Sequence, residues 1–198
     1  VLDPLAWRNN GAGGVANTGA GVIDVGSWVA GANGITALGV YQDFLAVFTR
    51  NNIQAWFVDT DETNNYLAQI VDNTGTIAPK TVKSFGNLDL FYLADSGFRS
   101  LRPRDSSNVA NVSDVGTPID DIVIKKMEEV GEEVVAQAAS VFEPKDGRYI
   151  ASLGDVLYVF SYFSSSAISA GSTYNPGLVF SDFCVLDGRL YGRAGDVI

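Results

Sequence analysis

The feature that most constrains this chain is a series of short runs rich in β-branched and aromatic residues, each closed by a tight polar turn. Turn pairs stand at Gln42-Asp43, Gly86-Asn87, Gly154-Asp155 and Asp187-Gly188. Thr81–Phe85 and Leu88–Leu93 flank the second, Arg148–Leu153 and Val156–Tyr162 the third, Leu178–Leu186 and Arg189–Ala194 the fourth. Such pairs between alternating apolar runs predict antiparallel hairpins. Runs 35–41, 44–49 and 53–59 are spaced as a meander with Trp56 in its core, and Val22–Ala30 with Ile35–Tyr41 flank Gly31–Gly34 as a further hairpin.

The spacing of the turns carries a second message. From Asp43 to Asn87 is 44 residues, and from Asn87 to Asp155 is 68, or about 46 once a helical insertion of 22 residues is removed. Four-stranded propeller blades repeat at about 40–50 residues. The last interval, 32 residues to Asp187, is short, so the residues alone leave a propeller and a sandwich both open.

One helix interrupts the β pattern. Thr117-Pro118-Ile119-Asp120-Asp121 supplies an N-cap, a proline at the first helical position and carboxylates in the first turn. Ile119, Val123, Met127, Val130 and Val134 recur at three and four, which places an apolar stripe on one face, while Lys125, Glu128, Glu129, Glu132 and Glu133 face elsewhere. Gly131 weakens the middle of this helix. Between the last hairpin strand and the helix, Pro103 to Gly116 reads as a polar crossing with no core of its own.

Charge separates along the chain. The formal net charge is −10, so the overall field repels nucleic acid and anionic surfaces. From Lys80 to Arg104 there are five bases (Lys80, Lys83, Arg99, Arg102, Arg104) against two acids, net +3. From Thr117 to Glu143 there are two bases against seven acids, among them Asp120, Asp121, Glu128, Glu129, Glu132 and Glu133, net −5. A head-to-tail ring juxtaposes such segments across each subunit boundary. Subunit contact therefore ranks first for these residues, internal pairing second and phosphate clamping by the arginines third.

Catalytic signatures are sparse. There is no histidine, which removes His-based metal sites, Ser-His-Asp and Cys-His arrangements and the commonest general base. Cys184 is the only cysteine; it excludes a disulfide framework and, between Phe183 and Val185, reads as a buried thiol. The glycine-rich stretch 9–21 lacks the lysine of a phosphate-cradling loop and reads as a surface loop or arm. Asp59-Thr60-Asp61-Glu62-Thr63-Asn64 departs from the calcium-loop pattern at Thr63 and Asn64 and reads as a solvated loop. No short segment couples two acids to the aromatic platform of a sugar site, with Tyr158, Tyr162 and Tyr174 coming nearest. No cofactor, metal or catalytic residue is assigned. Neither a membrane span nor an export leader is evident, and the chain, from Val1 to Ile198, reads as a piece of a longer polypeptide.

A family resemblance rests on ordered phrases. Gly75-Thr76-Ile77-Ala78-Pro79, the aromatic strand 88–93 leading into Asp95-Ser96-Gly97-Phe98-Arg99-Ser100, and Val115-Gly116-Thr117-Pro118-Ile119-Asp120 together resemble the tail nozzle (tail tubular, packaged-DNA stabilisation) proteins of short-tailed bacteriophages. Gly39–Phe48 and Asn52–Val58 upstream, with Gly147–Ile150 and Gly154–Ser161 downstream, extend the resemblance over roughly residues 38–198.

This resemblance implies a mainly β protein: antiparallel meander blades of an irregular β-propeller with one inserted amphipathic helix. The expected organisation is a glycine-rich segment and first hairpin (1–34), propeller blades (35–116), the inserted helix (117–139) and further blade strands (140–198). It implies a non-enzymatic virion protein, assembled in the bacterial host cytoplasm and resident in the tail. A homohexameric ring would bind the head-to-tail adaptor and the tail fibre or tip proteins, and DNA would pass through its lumen without specific binding. The basic and acidic residues named above are then candidate interface or lumen residues. The alternative is a glycan-processing or surface-binding tail protein on a β scaffold.

Overall fold

The structure, a computed structural model, describes residues 23–26, 34–86, 89–103, 110–113, 119–163 and 166–197. Three four-stranded antiparallel meanders follow one another. The first is β1 (Ala37–Tyr41), β2 (Phe44–Phe48), β3 (Asn52–Phe57) and β4 (Tyr66–Asp72); the second is β5 (Lys83–Phe85), β6 (Asp89–Ala94), β7 (Gly97–Pro103) and β8 (Ala110–Ser113). The third is β9 (Ala139–Glu143), β10 (Arg148–Leu153), β11 (Val156–Phe163) and β12 (Ser166–Tyr174), and β13 (Asp182–Leu186) with β14 (Arg189–Arg193) forms a two-stranded sheet after it. Each sheet keeps chain order from one edge to the other, the arrangement of a propeller blade.

The blades stack face to face, and their middle strands are therefore apolar on both sides. Leu90, Tyr92, Ala94 and Leu101 of the second blade meet Ala37, Tyr41, Phe48 and Ile53 of the first. Phe91, Leu93 and Phe98, on the other face of the second blade, meet Tyr149, Ala151, Tyr158 and Phe160 of the third. All six residues of β6 are buried as a result. The third blade turns Val141, Ile150 and Val159 towards Phe183 and Val185 of the two-stranded sheet. The protein is thus mainly β, built from meander blades of a β-propeller. Trp56 is buried on the outward face of the first blade, its indole N–H donating to Gln54 Oε1 at 2.9 Å, and Gln54 in turn donating to the Val25 carbonyl at 3.0 Å.

The turns explain the register. The first residue of each expected pair has a left-handed backbone, with φ of 52° at Gln42, 52° at Gly86, 59° at Gly154 and 50° at Asp187. That geometry matches the twist of the strands it joins. Gly154-Asp155, however, joins β10 to β11, whereas the other three pairs join the first strand of a sheet to its second. The equivalent turn in the third blade is Pro144–Gly147. Between Asp43, Asn87, Gly147 and Gly188 the intervals are 44, 60 and 41 residues, the middle one containing the inserted helix, so the short final interval expected from sequence comes from matching unlike turns.

Four strands lie outside the sequence expectation, and one of them, β9, opens the third blade. β4, β8 and β12 each complete a blade, and β8 lies inside the passage from Pro103 to Gly116 that reads as a bare crossing. Each is the fourth strand of its sheet and is paired on one side only, so its sequence needs fewer apolar residues. The glycine-rich stretch 9–21, positions 22 and 27–30 of the first expected hairpin strand, its turn at Gly31-Ala32-Asn33 and the cap residues Thr117-Pro118 lie outside the described residues, and 23–26 of that expected strand form a bend and turn in place of a strand.

The inserted helix is present but broken. It runs as α1 (Asp120–Val130) and α2 (Glu132–Ala136), with Gly131 between them at φ 78°, a conformation that only glycine adopts without strain. Val123 is fully buried, and Ile119, Met127 and Val130 pack beside it. After the break the phase moves by one residue, so Val135 is the buried position and Val134 is only partly covered. Cys184 is also corrected: it is exposed. Its neighbours Phe183 and Val185 face the third blade, and strand alternation turns the thiol the other way.

Candidate functional site

The basic β segment and the acidic helix meet within the chain. Arg99, two residues into β7, is 7% exposed and forms a two-pronged pair with Asp120 at the start of α1, with both N···O distances 3.0 Å. The same guanidinium donates to the carbonyls of Ser96 at 2.6 Å and Phe98 at 2.9 Å. Asp120 also sits at the positive end of the helix dipole. A buried arginine held by one carboxylate and two carbonyls fixes where α1 begins.

A second pair reaches the helix from the first blade. Arg50, in the β2–β3 turn, donates to Glu132 Oε1 at 2.6 Å and to Oε2 at 3.2 Å, and its Nε lies 4.0 Å from Asp95. The hydrogen bonds from Arg50 hold the Glu132 carboxyl below its usual range, and those to Glu132 raise Arg50. Both side chains are exposed, so this clasp orients more than it stabilises.

The segment between the first two blades works as a joint. Gly75 lies against the β2–β3 turn, where an added Cβ would run into the carbonyl oxygens of Thr49 and Arg50. This approach lets Thr76 N–H bond the Thr49 carbonyl at 3.0 Å. Thr76 Oγ1 accepts from Ala78 N–H at 2.9 Å, and Thr81 Oγ1 donates to the Ala78 carbonyl at 2.7 Å while accepting from Leu93 N–H at 3.1 Å. The Thr81 carbonyl receives Tyr149 Oη at 2.8 Å and Ser140 Oγ at 3.2 Å, both from the third blade. Lys80 donates to the Ser181 carbonyl at 2.8 Å and stands 3.8 Å from Asp182, which ties the same joint to the two-stranded sheet.

The remaining candidate residues divide by position. Lys83 is half-buried on β5, and Asp121, Glu128 and Glu133 are exposed on the helix. Glu129 pairs with Lys126 at 3.2 Å. The backbone of Arg102 pairs with Asn111, and Arg104 lies outside the described residues. Asp59 and Asp61 close their own loop: Asp59 Oδ1 accepts from Asp61 N–H at 2.8 Å and Asp61 Oδ1 from Thr63 N–H at 3.0 Å. These bonds hold both carboxyls low. Among the described residues no group of three or more His, Cys, Asp or Glu side chains could hold a metal, and no helix is long and apolar enough to cross a membrane.

Sequence reasoning did not single out Lys126 with Asp155, or Arg50. Lys126 Nζ lies 2.8 Å from Asp155 Oδ1, which joins α1 to the β10–β11 turn, and this bond keeps the Asp155 carboxyl low. Lys126 also lines a cleft of about 420 Å³ between α1 and the β11–β12 edge. Its only sequence signal is a lysine on the rim of the helical stripe and an aspartate in a turn pair. The outward face of the first blade leaves Ile35, Leu38 and Val40 each more than half exposed, at 57%, 58% and 58%.

No protein-family model matches the chain, and no curated protein matches it. Among solved structures it is similar to BamB from Moraxella catarrhalis, with 11% sequence identity and a TM-score of 0.48. That likeness covers 82% of this chain and 42% of the BamB chain, so the chain spans about two fifths of its length.

Proposed function

We propose that this chain is a structural subunit of the tail nozzle of a short-tailed bacteriophage, with no catalytic role. One observation carries the reading. Residues through which it resembles that family join its blades: Gly75 to Ala78 seat the inter-blade joint, 89–93 lie in the doubly buried β6, and Arg99 anchors the inserted helix. Shared phrases at such positions carry a shared architecture in place of a shared reaction.

The charge fits a conduit. Subunits arranged as a hexameric ring below the head-to-tail adaptor, with tail fibre or tip proteins attached, would surround a lumen through which DNA slides. A basic bore would retain DNA through salt-dependent phosphate contacts, whereas an acidic one releases it. Asp121, Glu128 and Glu133 are the exposed carboxylates of the helix available to a lumen or a ring interface, since Asp120, Glu129 and Glu132 are paired within the chain. The test is reducing-sugar release from host envelope polysaccharide. A nozzle subunit releases none, and sustained release would replace this reading with the glycan-processing one.

A further inference from the structure

The floor of the cleft between α1 and the β11–β12 edge holds a buried hydroxyl without a partner among the described residues. Tyr158 lines the cleft, is fully buried, and its Oη has no hydrogen-bond partner among the described residues. Tyr149, which faces the same core from the adjacent strand β10, spends its hydroxyl on the Thr81 carbonyl. A buried hydroxyl without a partner is destabilising unless a water or a ligand satisfies it. At about 420 Å³ the cleft lies within the range of small-molecule sites.

Its walls select a chemistry. Lys126 Nζ binds Asp155 at 2.8 Å and Glu129 at 3.2 Å, which leaves one of its three N–H bonds for a ligand. The cleft is lined by Lys125, Lys126 and Glu129, and Asp155 neutralises Lys126 from beside it, so donors and an acceptor stand there with little net field. On the opposite side Tyr174 presents a ring that is 57% exposed, next to Thr173 and the amide of Asn175. An exposed ring beside an amide, a hydroxyl and paired charges suits a molecule with an apolar C–H face and a rim of hydroxyls.

We propose that this cleft binds a neutral pyranose sugar residue, stacked on Tyr174 and hydrogen-bonded by Tyr158, Lys126 and Asn175. Binding is the whole of the activity. Glycoside cleavage needs a carboxylic acid kept protonated, yet Asp155 is shifted the other way by Lys126, and Glu129 is 68% exposed. The inference is independent of the nozzle reading, and either can fail alone.

The test is ¹⁵N-amide NMR titration of the intact chain with glucose, galactose, rhamnose and N-acetylglucosamine to tens of millimolar, with inorganic phosphate as the charged control. At least one sugar is expected to shift the amides of Lys126, Tyr174 and Asn175 saturably, and phosphate to leave them in place. Tyr174→Ala, at an exposed position, should weaken that sugar about tenfold. Tyr158→Phe should weaken it about threefold with the blade structure retained; if that variant does not fold, Tyr174→Ala decides alone. Absence of shifts with every sugar, shifts with phosphate alone, or an affinity unchanged by Tyr174→Ala would each overturn the proposal.

Discussion

Arg99 grips both carboxylate oxygens of Asp120 at 3.0 Å, and through that pair the basic second blade holds the acidic helix inside one subunit. Removing either partner leaves the other desolvated and unmatched. Asp120→Ala should cost about 3 kcal/mol of unfolding free energy, read from urea midpoints. Arg99→Met combined with Asp120→Leu should cost clearly less than the two single changes added, because the double variant buries no orphan charge. Strict additivity would show that the pair is not coupled.

Gly75 makes a separate prediction about the joint. A methyl group there meets the carbonyl oxygens of Thr49 and Arg50, which are backbone and cannot swing aside. Gly75→Ala should therefore destabilise by about 2–4 kcal/mol and shift the amide signals of Thr76, Ala78 and Thr81. A thermal midpoint equal to that of the parent would mean the two segments are not in contact.

Stability should depend on pH at both extremes. The carboxyls of Asp59, Asp61, Glu132 and Asp155 are lowered by hydrogen bonds, so their contribution is complete above the unfolded values near about 4 and is lost as pH falls through the folded ones. Tyr41 is pushed up to about 12, first by burial and then by the Asp89 carboxylate, and Tyr149 is raised by burial. Their contribution is complete below about 10 and disappears as pH rises through the folded values. The thermal midpoint should be level near neutrality and fall on both sides; Glu132→Gln should flatten the acid fall and Tyr41→Phe the alkaline one.

Cys184 should react with a thiol reagent in the folded protein, one equivalent per chain and without denaturant, since it lies on the uncovered face of β13. Reaction that waits for unfolding would show that another element covers that face.

The parts legible in the sequence are those where an apolar pattern and a turn agree. β1 to β3, β6, β10 and β11 carry residues that face two neighbours or one, and their turn pairs mark the ends. The fourth strands β4, β8 and β12 were illegible because a sheet edge tolerates polar sequence such as Ala110–Ser113. A stripe counted at three and four through Gly131 ends on Val134, yet the backbone resets there and buries Val135. Arg50–Glu132 and Lys126–Asp155 join residues remote in sequence, and charge counts alone do not say which base meets which acid.

Electron microscopy of the purified protein tests the proposed assembly into a tail nozzle. Ring-shaped particles are expected, with class averages that show sixfold symmetry around an open lumen. Particles that remain monomeric, or that form trimers, would contradict it.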